Sequence, residues 1–564
     1  MENMAKSTGQ KKVKTRSIVT GLLLSLSLLF ILNLVSLFLF YRLDFSKGKI
    51  HTLSKTSKTL VRKLEDNVVV KVYLSKNLPA DYSVLARYAR DLLSEYKLYG
   101  KNRFRFELVS QTNEDEFRGQ ATRDNIFAQR VMILEDDQQT VRDIFMGFAF
   151  EYKGNRERIN LTKEIEGRLE YEITSILRRL TQAALPRVTV FEDSLYSPSY
   201  YKYFEHHTTQ NYNIIPTNLN APVMASEVMI FPGVIDSLSQ LQLYNLDQYI
   251  MHGGKVLFLQ DRVMGLVQYG RADVIDSNLF DLLEHYGIEI KPNMVLDQTC
   301  APINMSQRSG IFTIDVPMPY PPIPMLEGMK SSVVTKGLSD IIIYMGSEIN
   351  INTGKPDLEI TPLLKTSAAS GIMDGPVFDI IPEKFMGDKV MSTLTHPPLT
   401  MAAHYKGTFT SYFADRPEIA ETEGFTPKTE TGEIIVVSDS DLIRDFIVSA
   451  SGANMMFVLN AIDYLLKDVS LNEVRSRTIP NSPLDITRWL YRRNIDAQTT
   501  ASIEPRIRQF VKLVNLLLPS LLLVVMGLVM LFRLRKSRRA IQAGYNDIPV
   551  EAPPETSNNG DEQL

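Results

Sequence analysis

Lys255-Val256-Leu257-Phe258-Leu259-Gln260-Asp261 sets four apolar residues in a row behind a Gly253-Gly254 pair and ahead of an acid. An uninterrupted apolar run of this length, closed by polar residues, reads as a strand buried on both faces. Upstream, Val228-Met229-Ile230-Phe231 is a run of the same kind, ending in Pro232-Gly233. Between the two, Ser237 to Met251 has helical spacing, and Gly253-Gly254 stops it. Arg187 to Phe191 precedes this unit. Asn278 to Tyr286, capped by Gly287, follows it as a helix. Ile434-Ile435-Val436-Val437 then runs into Ser438-Asp439-Ser440-Asp441, ahead of a helix from Met455 to Leu466. Strands alternating with helices predict an α/β fold whose larger domain, residues 186–470, is built on a parallel sheet covered on both faces. Its insert, about 300–430, carries Pro317, Pro319, Pro321, Pro322 and Pro324 and is expected to be β-rich or loop.

The segment 46–185 reads as a small α/β domain. Val68 to Leu74 is β-branched and strand-like, and Tyr82 to Tyr99 is helical with Gly100 at its end. Phe104, Phe106 and Leu108 alternate, as does part of Ile144 to Tyr152, and Glu164 to Leu180 returns to helical period. Two long apolar runs flank the body. None of the residues Ile18 to Phe40, or Leu513 to Phe532, is charged, and each run has the length of a membrane-crossing helix. Lys and Arg before the first and after the second predict cytoplasmic termini, 1–17 and 533–564, with residues 41–512 on the other side of the membrane. In that reading Asn33 and Asn515 sit in hydrocarbon, where an amide wants a hydrogen-bond partner. Residues 471–512 return the chain, with an amphipathic helix expected near Arg488 to Asn494. The acidic stretch Tyr545 to Leu564 is expected to be disordered.

A net charge of −3 favours neither nucleic acid nor an acidic membrane surface, and the single cysteine, Cys300, excludes an intramolecular disulfide. No phosphate loop, nucleophile elbow or HExxH zinc helix occurs in the chain. No catalytic residue, metal or cofactor is therefore expected. His206-His207 reads as a polar surface pair, and His252 as a group that closes a helix on its last carbonyls. The best local signal is acidic. In an open parallel sheet, ligands bind beyond the carboxyl ends of the strands. That edge should present Gly233, Asp261, Ser438, Asp439 and Asp441 as a ligand or partner site. The competing reading is that Asp and Ser stand there to cap turns.

Three stretches carry a resemblance. They are Gly48-Lys49-Ile50-His51-Thr52-Leu53-Ser54; the run from Glu227 through Gly253-Gly254 to Asp261; and Ile434 to Asp441, followed by Asn454 and the helix Phe457 to Leu466. Together they resemble the auxiliary, so-called substrate-binding component of the gliding-motility ABC transporter of Bacteroidetes, the GldG family. The resemblance implies a non-catalytic, double-pass subunit of the bacterial inner membrane with a periplasmic domain, working beside a separate ATPase and a separate permease. It also implies that the larger domain has a glutamine-amidotransferase-like fold; here the G-x-C-x-G elbow of active amidotransferases is absent. Two other classes stay open at this level: a tethered hydrolase or sugar-processing enzyme using the acids near Asp439 and Asp441, and a cell-envelope scaffold.

Overall fold

In the computed structural model the described residues are 52–477, with breaks at 136–137, 183, 193–199, 224–225, 310–311, 353–354, 386–390, 417–423 and 476. Ser27 and helical positions between 506 and 535 are described as well. The chain forms two units, residues 1–479 and 480–564. The fold is mixed α/β with large sheets.

The N-terminal part of the first unit opens with α1 (Lys55–Arg62), β1 (Val68–Leu74) and α2 (Ala80–Gly100). β2 (Phe104–Leu108) and α3 (Glu114–Arg123) follow, then β3 (Ala128–Glu135), β4 (Gln138–Tyr152), β5 (Asn155–Asn160) and α4 (Leu169–Thr181). The sheet runs β2-β1-β4-β3, with β5 on β4. Sequence spacing placed one helix over Glu164 to Leu180. Its first part, Lys163–Arg168, is instead a 3₁₀ turn. Gly100 closes α2 for a different reason from the one expected. The positive φ belongs to Lys101, at 52°. Gly100 is needed because a Cβ there would lie 2.6 Å from the Phe104 Cβ and 2.8 Å from Val61.

The larger part carries β6 (Arg187–Phe191), α5 (Lys202–Asn211), β7 (Asn213–Thr217), β8 (Val228–Phe231), α6 (Gln240–Met251) and β9 (Lys255–Leu259). After them come β10 (Val263–Leu266), β11 (Arg271–Val274), α7 (Asn278–His285), β12 (Glu289–Ile290), β13 (Asn293–Asp297), β14 (Cys300–Ser309), β15 (Phe312–Gly328), β16 (Ile341–Ile342) and β17 (Ile349–Asn350). β18 (Leu358–Lys365), β19 (Ser370–Asp374), β20 (Val377–Asp379), β21 (Thr400–Thr410), β22 (Lys428–Val437), α8 (Asp445–Ala450), α9 (Gly452–Leu465) and α10 (Asn472–Arg475) complete it. The main sheet runs β14-β15-β18-β21-β22-β9-β8-β6-β7. From β22 to β7 every pairing is parallel. From β14 to β22 every pairing is antiparallel. The sheet is thus parallel in one half only, and residues 300–430 supply the other half.

Period-two alternation splits each parallel strand between two cores. Leu257 and Leu259 pack with Ile435, Val437 and the α9 residues Phe457 and Val458. Val256 and Phe258 face Ile434, Val436 and the helices α6 and α7. Ser239 caps α6 in a reciprocal capping box with Gln242, so the helix begins at Gln240 and not at Ser237. Ser277 caps α7, and Gly287 leaves it at φ 86°.

The membrane placement requires correction. Among the described residues no helix is long and apolar enough to cross a membrane, and the double-pass inner-membrane location is withdrawn. Residues 18–40 lie outside the described residues except for Ser27, and 513–532 are described at scattered helical positions. The region near Arg488 to Asn494 and the stretch 545–564 also lie outside them.

Candidate functional site at the carboxyl edge of the sheet

Because β6, β8, β9 and β22 are parallel, their carboxyl ends meet at one edge. Pro232-Gly233 leaves β8 there, Gln260-Asp261 leaves β9, and Ser438 to Asp441 leaves β22. A cavity of about 240 Å³ lies between these turns. Gly233, Asp261, Ser440, Asp441 and Arg444 line it, together with Phe191, Tyr201, Tyr344 and Met345. Gly233 has φ 88°, and a Cβ there would stand 2.7 Å from the Leu259 carbonyl oxygen and 3.1 Å from the Ser440 Cβ. Both the conformation and the close approach demand glycine.

The acids play different parts. Asp439 is fully buried. Its Oδ2 accepts from the Tyr344 backbone N–H at 2.8 Å and its Oδ1 from the Asp441 N–H at 2.8 Å. It therefore ties the segment after β16 to the end of β22. Asp261 accepts from the Ser440 N–H at 2.8 Å and from the Ser440 hydroxyl, which cross-links the turns after β9 and β22. Asp441 forms an ion pair with Arg444 at 2.8 Å, one helical turn on. Burial, reinforced by Asp441, pushes the Asp261 carboxyl up to about 7 against the hydrogen bonds from Ser440. Burial, with Asp261 and Asp441 adding to it, holds Asp439 well above the usual carboxylate range. Asp441 is raised by burial and pulled back by Arg444.

Ser438 differs from the sequence reading. It is fully buried, and its N–H and hydroxyl both donate to the Met401 carbonyl, at 3.1 and 3.2 Å, rather than lining the cavity. Gly233, Asp261 and Asp441 do line it, whereas Asp439 sits beneath it as a fastener. Asn33 and Asn515 lie outside the described residues. Arg444, Tyr201 and Tyr344 escaped the sequence reading. Arg444 was within reach, standing three residues after Asp441 at helical spacing. Tyr201 and Tyr344 arrive from distant segments without a local pattern.

Elsewhere, His207 is pushed down to about 4, chiefly by burial, and the His206 Nε2 meets Gln210 at 3.0 Å. His252 Nδ1 lies 2.6 Å from the Gln248 carbonyl, at the end of α6. Among the described residues no group of three or more His, Cys, Asp or Glu is placed to hold a metal ion. The cavity carries carboxylates, a guanidinium and aromatic walls, a surface suited to polar recognition.

Residues 183–461, which contain every residue of this edge, match the model of a family described as an ABC-type uncharacterized transport system. The match supports an ABC-transporter auxiliary component. Residues 47–151 match the model of a domain of unknown function. An uncharacterized protein of Borreliella burgdorferi is 21% identical over 543 residues, which are 92% of this chain and 98% of that protein. A solved structure, the mmIFT52 N-terminal domain, is 13% identical, covering 50% of this chain and 96% of its own, with a TM-score of 0.30; a likeness at that level carries no argument. The auxiliary family implies association with transporter components.

Proposed function

We propose that the chain is a non-catalytic binding subunit of an ABC transport complex of the gliding-motility kind, working beside a separate permease and a separate ATPase. The carboxyl edge of its sheet is where it takes a ligand or partner. One observation carries this reading: the acids of that edge are already committed to fixed donors. Asp439 and Asp261 are engaged by backbone N–H groups and by Ser440, and Asp441 by Arg444. A general acid and base working as a pair need a free lone pair or proton aimed at the reacting atom, whereas carboxylates fastened in this way shape a cavity and present charge. The amidotransferase-like reading of the fold belongs with this proposal, without the nucleophile of the active enzymes. The test is isolation of the tagged, full-length protein from native cells under mild conditions. An ATPase and a multi-helix permease should accompany it in constant ratio. Their absence, or hydrolytic activity that follows the protein through gel filtration, overturns the proposal.

A further inference from the structure

The inbound stretch Thr52-Leu53-Ser54 has no part in the carboxyl-edge cavity, yet it is tightly engaged. Leu53 and Ser54 are buried. Ser54 caps α1 by accepting from the Ser57 N–H. Its own N–H donates to Glu170 Oε1 at 2.6 Å, and the Ser57 hydroxyl donates to the same oxygen at 2.7 Å. The other carboxylate oxygen, Glu170 Oε2, receives Arg477 Nη1 at 3.1 Å. The same guanidinium nitrogen donates to the Thr52 carbonyl at 2.9 Å. Glu473 adds two longer contacts, from the Lys55 N–H at 3.4 Å and the Thr56 hydroxyl at 3.3 Å. One buried acid on α4 thus holds the segment that enters the body and the segment that leaves it.

We propose that Thr52–Ser54, Glu170 and Arg477 form a clasp that makes the incoming segment, 52–57, and the outgoing residues, 473–475 and 477, open and close as one unit. The outgoing segment is also pinned to the larger domain, since Arg475 Nη1 donates to Asp463 Oδ2 at 2.7 Å and to Asn460 Oδ1 at 3.1 Å. Motion of either flanking stretch therefore reaches the N-terminal part through Arg477 and the larger domain through Arg475. This device is independent of the carboxyl-edge cavity.

Hydrogen exchange on the full-length protein tests it, in the wild type and in the Arg477→Met, Arg477→Lys and Glu170→Gln variants. A charge-assisted hydrogen bond at a buried site corresponds to about a tenfold change or more in an opening equilibrium. Arg477→Met should therefore accelerate exchange about tenfold or more in both 52–62 and 471–477. Arg477→Lys should restore part of the protection, and 434–446, at the carboxyl edge, should stay unchanged. Glu170→Gln should match Arg477→Met in both segments, and the double variant should add little. Acceleration confined to 471–477, or a double variant whose effects simply add, overturns the clasp. If Glu170→Gln unfolds the whole chain, Arg477→Met and Arg477→Lys still decide the matter.

Discussion

Asp463 and Asp439 are both fully buried acids of the larger domain, and the molecule treats them in opposite ways. Asp463, on α9, is surrounded by matched donors. Arg475 Nη1 stands at 2.7 Å, the Tyr212 hydroxyl at 2.6 Å, and Arg178 Nη1 from the N-terminal part at 3.8 Å. Arg178 also reaches Asp468 at 2.6 Å. Asp439 is held by two backbone N–H groups and shares its surroundings with two further acids, Asp261 and Asp441. The first arrangement joins two parts of the fold and satisfies its charges internally. The second keeps carboxyl groups close together beside an open cavity, where desolvation and mutual repulsion disfavour their ionised forms. Charge that is matched inside the chain serves assembly, whereas acids held together beside a cavity cost stability, and the proposed binding role of the carboxyl edge rests on that contrast.

Breaking the matched side gives the largest effect. Arg475→Met leaves Asp463 buried without its nearest cation, which costs about 3–5 kcal/mol. Urea denaturation should show the midpoint falling steeply. The paired variant Arg475→Met with Asp463→Leu should recover much of the loss, because an uncompensated charge, more than a missing bond, is what destabilises. Recovery of nothing would mean that the network contributes through geometry alone.

The unmatched side should announce itself in pH dependence. Asp261 is raised to about 7, against roughly 3.9 in an unfolded chain. Between those values the folded chain binds more protons than the unfolded one, so stability rises as pH falls through this window and is lost as pH rises towards 7. His207 and His404, both pushed down to about 4 by burial, act in the opposite sense: their contribution is lost as pH falls below about 6.5. Comparing wild type with Asp261→Asn cancels the histidines. The difference should amount to on the order of 1–3 kcal/mol between pH 5 and 8, with the wild type gaining on the acid side. Parallel stability curves would show that Asp261 titrates as an ordinary surface acid.

Gly233→Ala probes the wall of the same cavity. The left-handed backbone and the 2.7 Å approach to the Leu259 carbonyl should together cost about 1–3 kcal/mol, read as a lower melting temperature. An unchanged melting temperature would show that the turn after β8 relaxes freely.

The parallel half of the main sheet was legible because its strands are buried on both faces, and such strands write themselves as unbroken apolar runs, as in Val256 to Leu259. The antiparallel half was not. β15 spans Phe312 to Gly328 through five prolines, a composition that reads as strand or loop with equal ease. The acids of the carboxyl edge were visible through their position after a strand, but their division of labour was not. Whether Asp439 faces a cavity or a backbone N–H depends on the segment near Tyr344, about a hundred residues away in sequence. The cations that match Asp463 come from helices far apart in the chain, and single-sequence spacing cannot bring Arg178 and Arg475 together.

Asp441 is where the two readings of the carboxyl edge separate with the least disturbance. Its carboxyl lines the cavity and pairs with Arg444, while its backbone N–H, which an Asn variant keeps, supplies the bond to Asp439. Asp441→Asn therefore preserves size and fastening and removes one charge from a partly exposed ion pair, a change worth roughly 0–1 kcal/mol. Asp439→Asn is the poorer probe. It sets an amide –NH₂ against a backbone N–H and leaves a buried donor unsatisfied, at about 1–3 kcal/mol, so lost function would be confounded with lost stability. If the edge only closes turns, Asp441→Asn should melt and co-purify with transporter components as the wild type does. If the cavity receives a ligand or partner, melting should stay within a degree or two while the yield of associated ATPase and permease falls severalfold. Full co-purification by a normally folded Asp441→Asn protein would remove this acid from the binding role and leave the cavity as a by-product of the turns around it.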